Sequence, residues 1–419
     1  MNTKPALFAI ILLIFQPGFA SASDWVAGFG MEVLVTTDDL SADDPVYLAG
    51  YGLGNRPAET IHDDVSVRSL YLSDGTQKIL FVSLDTIGFS QDFAEQARIA
   101  VTKSTGIKTE NIILSATHTH SSIDIQGIWG SVTESQQKKL LNKVVGSAKE
   151  AFTHQQPVTL KLSRSMKGEG LNRRHKSEGI ISQITAVHIE TPDNKPVVLL
   201  LSFGSHPVVL DKDNLQVTSD WVGFARNKLE TDLQTRVLFI NGVLGDVIPL
   251  PEHKKRNFEN AQLYGDQIAS HVIAAKQENI TELKSKLSYC TEQLKVDAEN
   301  LQLVGLTKTL GQGTISWPST FSTQVTSRVS VIVLGSLVLI TVPGEPVTAF
   351  GRELMEKVQN RPVAVLGLSH DSLGYLIPEN DFGLENATEE PFSLSSKFAT
   401  QTSTAIDRLI DQCLGLVLN

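Results

Sequence analysis

Asn111-Ile112-Ile113-Leu114-Ser115-Ala116-Thr117-His118-Thr119-His120 passes in one step from an apolar run to a pair of histidines. The run has the length and composition of a buried strand. Upstream, Lys78-Ile79-Leu80-Phe81-Val82-Ser83-Leu84 is a second such run, ending at Asp85. Residues 93–104 between them have helical spacing. Downstream the alternation continues. Residues 133–154 predict a long helix, and 197–203 a strand that ends at His206. Residues 237–241 form a strand ending near Gly245-Asp246, and 329–342 a hairpin or long strand leading into Gly344-Glu345. Residues 347–359 predict a helix, 363–368 a strand before His370, and 397–414 a closing helix. The pattern predicts an α/β fold with a mixed central sheet covered by helices. Nearly every strand runs out into a polar, chemically capable side chain. Ligands in open α/β sheets gather at strand carboxyl ends, so these residues are expected to converge on one site. Residues 280–321 break the rhythm and read as either a subdomain or a lid.

Residues 1–22 carry one basic residue, Lys4, then an apolar run over residues 6–15, Pro17-Gly18 and Ala20-Ser21-Ala22. That order predicts a secretory signal peptide. The apolar run falls short of the roughly 20 residues that cross a bilayer, which weighs against the alternative of an uncleaved anchor. A mature protein starting near Ser23, secreted or periplasmic, is the expectation, with residues 23–419 forming one large α/β unit or, on length alone, two ordinary domains. A formal net charge of −10 excludes nucleic acid as the natural partner, because phosphate binding needs clustered Lys and Arg. Cys290 and Cys413 are the only cysteines. They rule out a zinc ribbon and are either a disulfide or two buried thiols.

In an extended segment, side chains two apart point to one side, so His118 and His120 are expected to face one cavity. Imidazole suits zinc; two turn histidines with ordinary hydrogen bonds are the plainer reading. His206 by itself reads as a structural hydrogen-bonder, and Glu345 as a residue complementing a helix dipole. Tyr375 would ordinarily be a core aromatic. Spacing alone does not choose among them.

Ser115-Ala116-Thr117-His118-Thr119-His120-Ser121 resembles the T-H-T-H-S block of the neutral, non-lysosomal ceramidases. Further blocks follow in that family's order. Ala49-Gly50-Tyr51-Gly52 is similar to its early glycine-rich loop, Asn172-Arg173 to its N-R pair, and Phe203-Gly204-Ser205-His206-Pro207 to its x-x-H-P block. Ser219-Asp220-Trp221, Leu244-Gly245-Asp246-Val247, Pro343-Gly344-Glu345 and Gly374-Tyr375-Leu376-Ile377-Pro378 resemble its later elements.

The resemblance implies one zinc ion per chain, held by His118, His206, Glu345 and Tyr375. It implies that His120 and Arg173 contact the substrate's polar head and the developing oxyanion, and that Tyr375 either binds metal or hydrogen-bonds to that oxyanion. The implied substrate is a lipid-like N-acyl amide, with transient contact at a membrane surface. Zinc lowers the pKa of a bound water to about 7, and His120 can then serve the oxyanion or the leaving amine. Asp85, Asp220 and Asp246 are candidates to orient the imidazoles, or simply to cap helices and close turns.

Two departures stand out. The serine of the family's G-D-V-S-P element is Ile248 here, which removes any serine mechanism at that position. The family's C-terminal immunoglobulin-like module is also expected to be missing. Both bear on substrate more than on metal. A barrel-type amidohydrolase with His118 and His120 on one ion is a rival reading, but the eight regular strand–helix units of a barrel are not found. A non-catalytic lipid or cell-envelope binder is the other.

Overall fold

The computed structural model describes residues 25–41, 43–52, 54–249, 255–309, 315–316 and 322–418. The expected signal peptide lies outside them. Three strand–helix–strand units organise the chain. In the first, Lys78–Leu84 leads through the helix Gln91–Thr105 to Ile112–Ala116, which pairs with it in parallel from Leu80↔Ile112 to Leu84↔Ala116. Ser90 caps that helix by accepting from the Phe93 N–H, and Gly106, at φ 71°, closes it in the left-handed conformation. The second unit is Pro196–Phe203, helix Trp221–Leu233 and Arg236–Asn241. The third is Leu337–Thr341, helix Thr348–Glu356 and Val363–Leu366. Strands joined in parallel need such a crossover, and a helix supplies it.

Antiparallel strands link the first two units into a nine-stranded sheet. Its order is Arg236–Asn241, Pro196–Phe203, Ile184–Glu190, Gln156–Ser165, Trp25–Val33, Ser66–Ser73, Lys78–Leu84 and Ile112–Ala116, with Thr281–Leu283 beside Gln156–Ser165. The third unit belongs to a four-stranded sheet ordered Leu287–Asp297, Gln324–Leu334, Leu337–Thr341, Val363–Leu366. Within residues 280–321, Thr281–Leu283 and Leu287–Asp297 are strands of these two sheets, and the helix Leu301–Thr309 follows.

Among the described residues, strand pairing between the two halves of the larger sheet is confined to Trp25↔Val158, Val26↔Pro157 and Ala27↔Gln156. The sheet turns there, and Ser83 of one half donates to the Phe239 carbonyl of the other at 2.5 Å. The result is three sheet walls around a shared apolar interior, which takes Leu70 and Phe81 from one half, Leu200 and Ile240 from the other, and Ile332 and Leu366 from the second sheet. Alternate residues face outward. Val198 and Leu200 point inward, whereas Leu199, Leu201 and Phe203 meet helices Trp221–Leu233 and Phe258–Glu278. Helices Gln91–Thr105 and Glu134–Thr153 cover the first wall, and Thr348–Glu356 with Phe398–Leu418 cover the third. Burial on both faces is why these strands read as unbroken apolar runs.

Cys290, in the second sheet, and Cys413, on helix Phe398–Leu418, form a disulfide with Cα atoms 5.7 Å apart. No helix of the described residues is long and apolar enough to cross a membrane.

Candidate metal centre

The carboxyl ends of all three units are laced together. Ala116 N–H donates to Leu368 O (3.2 Å), Asn241 Nδ2 to Thr117 O (2.9 Å), and Gly367 N–H to Asn241 O (2.9 Å). The segments that leave these strands therefore lie against one another, and they carry His118, His206, Glu345 and Tyr375.

His118 arrives by a different backbone path from the one expected. The strand stops at Ala116, and His118 adopts a left-handed conformation with φ 73°. That conformation costs a non-glycine residue about 1–3 kcal/mol, offset here by the bonds that fix the turn. His118 N–H donates to Thr86 O (2.9 Å), and Thr119 Oγ1 donates to Thr218 O (2.9 Å). The His118 and His120 rings do meet, with centroids 5.0 Å apart, but through a kink and not through strand alternation. His206 lies 4.9 Å from His118 and 6.1 Å from His120, ring centre to ring centre.

Hydrogen bonding fixes how two of the rings face. His118 Nδ1 lies 2.5 Å from Ile87 O, and His206 Nδ1 lies 3.0 Å from Val247 O. A carbonyl only accepts, so each Nδ1 carries a proton, and Nε2 is the ring atom left to face the site. Both Nε2 atoms face the same oxygen of Glu345, Oε2, at 3.4 Å from His118 and 3.1 Å from His206. Burial pushes the Glu345 carboxyl up, but the two imidazoles outweigh it and hold it well below the usual carboxylate range. Burial also holds His206 toward its neutral form. Two imidazole nitrogens and one carboxylate oxygen thus converge on one point. His120 adds to the need for a partner, since neither of its buried ring nitrogens has one among the described residues. This donor set fits a cation, and the ring nitrogens of His118, His120 and His206, all within 4.8 Å of one another, can hold a metal ion.

Tyr375 reaches the centre from the third unit. The two-residue strands Glu345–Pro346 and Tyr375–Leu376 pair in parallel, with Glu345 opposite Tyr375. Arg173 Nη2 donates to the Tyr375 hydroxyl and to Gly245 O, each at 3.0 Å. Arg173 stands here because Val247 pairs with Asn172 and Arg173 N–H donates to Asp246 O at 2.7 Å. Gly50, at φ 105°, lies so close to His120 that a Cβ there would fall 2.6 Å from its Nδ1. Ile248 is half-buried and pairs with Leu171.

The three aspartates do not orient the imidazoles, since backbone carbonyls have that place. Asp85 is held by both terminal nitrogens of Arg226, at 2.9 and 2.7 Å. Asp220 caps helix Trp221–Leu233 and accepts from the Val209 and Leu210 N–H groups, which anchors the loop after His206. Asp246 accepts from the N–H and hydroxyl of Thr348, at the start of the helix that follows Glu345. They shape the site through the backbone. His370, also at a strand end, turns away, with its Nε2 2.8 Å from Ser330 Oγ. The sequence reading missed Asn241 and Glu389. The carboxylate of Glu389 lies 2.7 Å from Arg173 Nε, and nothing local in its surroundings marks it out.

The fold and the site together define an α/β protein whose strand ends gather three histidines that could hold a metal ion, with the Glu345 carboxylate beside two of them. No family model and no curated protein matches the sequence. Among solved structures, the fold matches neutral ceramidase from Pseudomonas aeruginosa with a TM-score of 0.77 at 15% identity, over 94% of this chain and 74% of that one. A structure described as ceramidase complexed with C2 matches with a TM-score of 0.76, also at 15% identity, over 94% of this chain and 75% of that one.

Proposed function

We propose that this protein is a zinc-dependent hydrolase that cleaves the amide bond of ceramide or a related N-acyl lipid, working outside the cytoplasm. The observation that carries the reading is the convergence of the His118 and His206 Nε2 atoms on Glu345 Oε2, in a fold shared with neutral ceramidase. His118, His206, Glu345 and Tyr375 are the proposed ligands of one zinc ion. When bound, the metal supplies Lewis-acid activation of the water that attacks the acyl carbonyl. Arg173, beside the Tyr375 hydroxyl, places a fixed positive charge where oxyanion charge develops, and Tyr375, where it does not bind the metal, donates toward the same point. His120, whose ring nitrogens have no partner among the described residues, moves a proton to the leaving amine. The disulfide suits an oxidising compartment, in keeping with secretion or a periplasmic location.

A second arrangement has its own support. The proximity of all three imidazoles favours His120 as a ligand in place of Tyr375. Elemental analysis of His118→Ala and His120→Ala variants separates the two. His118→Ala loses both metal and activity. His120→Ala keeps the metal and loses activity if the first assignment holds, and loses both if the second does. The function itself is tested on a fluorogenic ceramide, simpler N-acyl amides and esters, with and without a chelator. Absence of chelator-sensitive hydrolysis on every member of that panel rejects it.

A further inference from the structure

Arg173 and Arg174 follow the strand Leu171–Asn172 side by side, and one short stretch near the end of the chain grips both. Arg174 has a fully buried side chain, with Nε 2.9 Å from Asp381 Oδ2 and Nη2 2.8 Å from Glu390 Oε1. Glu389 reaches both arginines. Its Oε1 lies 2.7 Å from Arg173 Nε and its Oε2 lies 3.4 Å from Arg174 Nη1, and the residue is only 1% exposed. No other carboxylate of the described residues lies within ion-pair distance of Arg173. At its far end Arg173 donates to the Tyr375 hydroxyl and to Gly245 O. The same stretch also holds Tyr375 by its backbone, because Ser393 Oγ donates to Tyr375 O at 2.8 Å.

We propose that Glu389 is a positioning residue that fixes the Arg173 guanidinium against the Tyr375 hydroxyl. The inference rests on the reading in which Arg173 faces the developing oxyanion. A free arginine side chain carries about 2 kcal/mol of rotamer entropy. The Glu389 carboxylate pairs with the guanidinium by charge, at ion-pair distance from Nε although that N–H makes no hydrogen bond among the described residues. A charge held on that side leaves the terminal N–H groups aimed in one direction, so the order is in place before the reaction starts. Arg174 is the foundation of this clamp, since Asp381 and Glu390 hold it without help from Glu389. Loss of Glu389 therefore leaves Arg174 paired, while Arg173, with 27% of its side chain exposed, swings toward solvent.

The test compares wild type with Glu389→Gln, Glu389→Asp, Arg173→Ala and the Glu389→Gln/Arg173→Ala double variant on the best amide of the substrate panel. In Glu389→Gln, kcat is expected to fall about 10–100-fold, the effect typical of losing a residue that orients a working group. KM is expected to stay within about threefold, with metal content as in wild type. Glu389→Asp recovers part of the rate. In the Arg173→Ala background, Glu389→Gln changes kcat by less than about twofold, since residues acting as one unit are not additive. Full additivity, or a Glu389→Gln variant with wild-type kcat, overturns the proposal. Site-resolved modification by phenylglyoxal supplies a readout independent of turnover: Arg173 reacts faster in Glu389→Gln than in wild type if the clamp exists, and at the same rate if it does not. A wild-type protein that hydrolyses nothing on the panel rejects the functional reading, and the phenylglyoxal comparison still decides the clamp.

Discussion

Glu345 and Tyr375 stand opposite each other across a two-residue parallel ribbon, so one backbone register sets both side chains at the site. The ribbon is held at several points. Glu345 N–H donates to Gly374 O and Gly245 N–H to Pro346 O, each at 2.9 Å. Gly374, at φ 85°, passes so close to Phe392 O that a Cβ there would lie 1.9 Å away. The carboxylate and the phenol are therefore delivered as a pair.

Tyr375→Phe removes the hydroxyl and keeps the ring. With His118, His206 and Glu345 intact, metal content is expected to stay near the wild-type level while kcat falls about 10²–10³-fold, as for loss of one oxyanion donor. Steady-state kinetics alongside elemental analysis check this, and loss of most of the metal would assign Tyr375 a mainly ligating role.

Gly50→Ala probes His120 without touching it. The new methyl has no room beside Nδ1, and φ 105° disfavours any side chain. Displacing the ring by an ångström or so is expected to lower kcat/KM about 100-fold. Thermal melting run in parallel should show a much smaller change.

His188, which is not among the candidate site residues, provides a separate pH signature. It is buried between strands, with Nε2 2.8 Å from Ser163 Oγ, and burial, with a smaller contribution from Lys276, lowers its pKa from 6.5 to about 4. The unfolded chain therefore binds the proton first. The stability tied to neutral His188 is complete above about pH 6.5 and is lost as pH falls toward 4, with a magnitude on the order of 3 kcal/mol. Urea titrations from pH 4 to 7 should show this slope, and His188→Gln should flatten it.

The Cys290–Cys413 bridge closes a loop with a sequence separation of 123 and fastens helix Phe398–Leu418 onto the second sheet. Replacing both cysteines with alanine is expected to cost about 2–5 kcal/mol. Chemical denaturation of the two forms measures the difference. A cost near zero means that the apolar packing around Phe398, Ile406 and Leu409 suffices to hold the helix.

The sequence by itself determined the local elements and the chemistry on offer. The run Lys78–Leu84 is a strand with the limits its composition predicts, and the helix expected over 133–154 is Glu134–Thr153 between Thr133 and His154 caps. These follow from short-range preferences: apolar runs buried on both faces, and capping side chains within a turn. That strand ends would supply the site was also legible, because polar side chains follow buried runs only where the chain leaves the core. Tertiary structure alone decided how those ends meet. The left-handed turn at His118, the Nδ1 bonds that aim two Nε2 atoms at Glu345, and the pairing of Cys290 with Cys413 all join residues distant in the chain. Glu389 lies 216 positions from Arg173, yet its carboxylate reaches it. Such contacts leave no periodic trace, since a hydrogen bond or ion pair across the fold depends on where two backbones cross, and the crossing is set by the packing of all three walls.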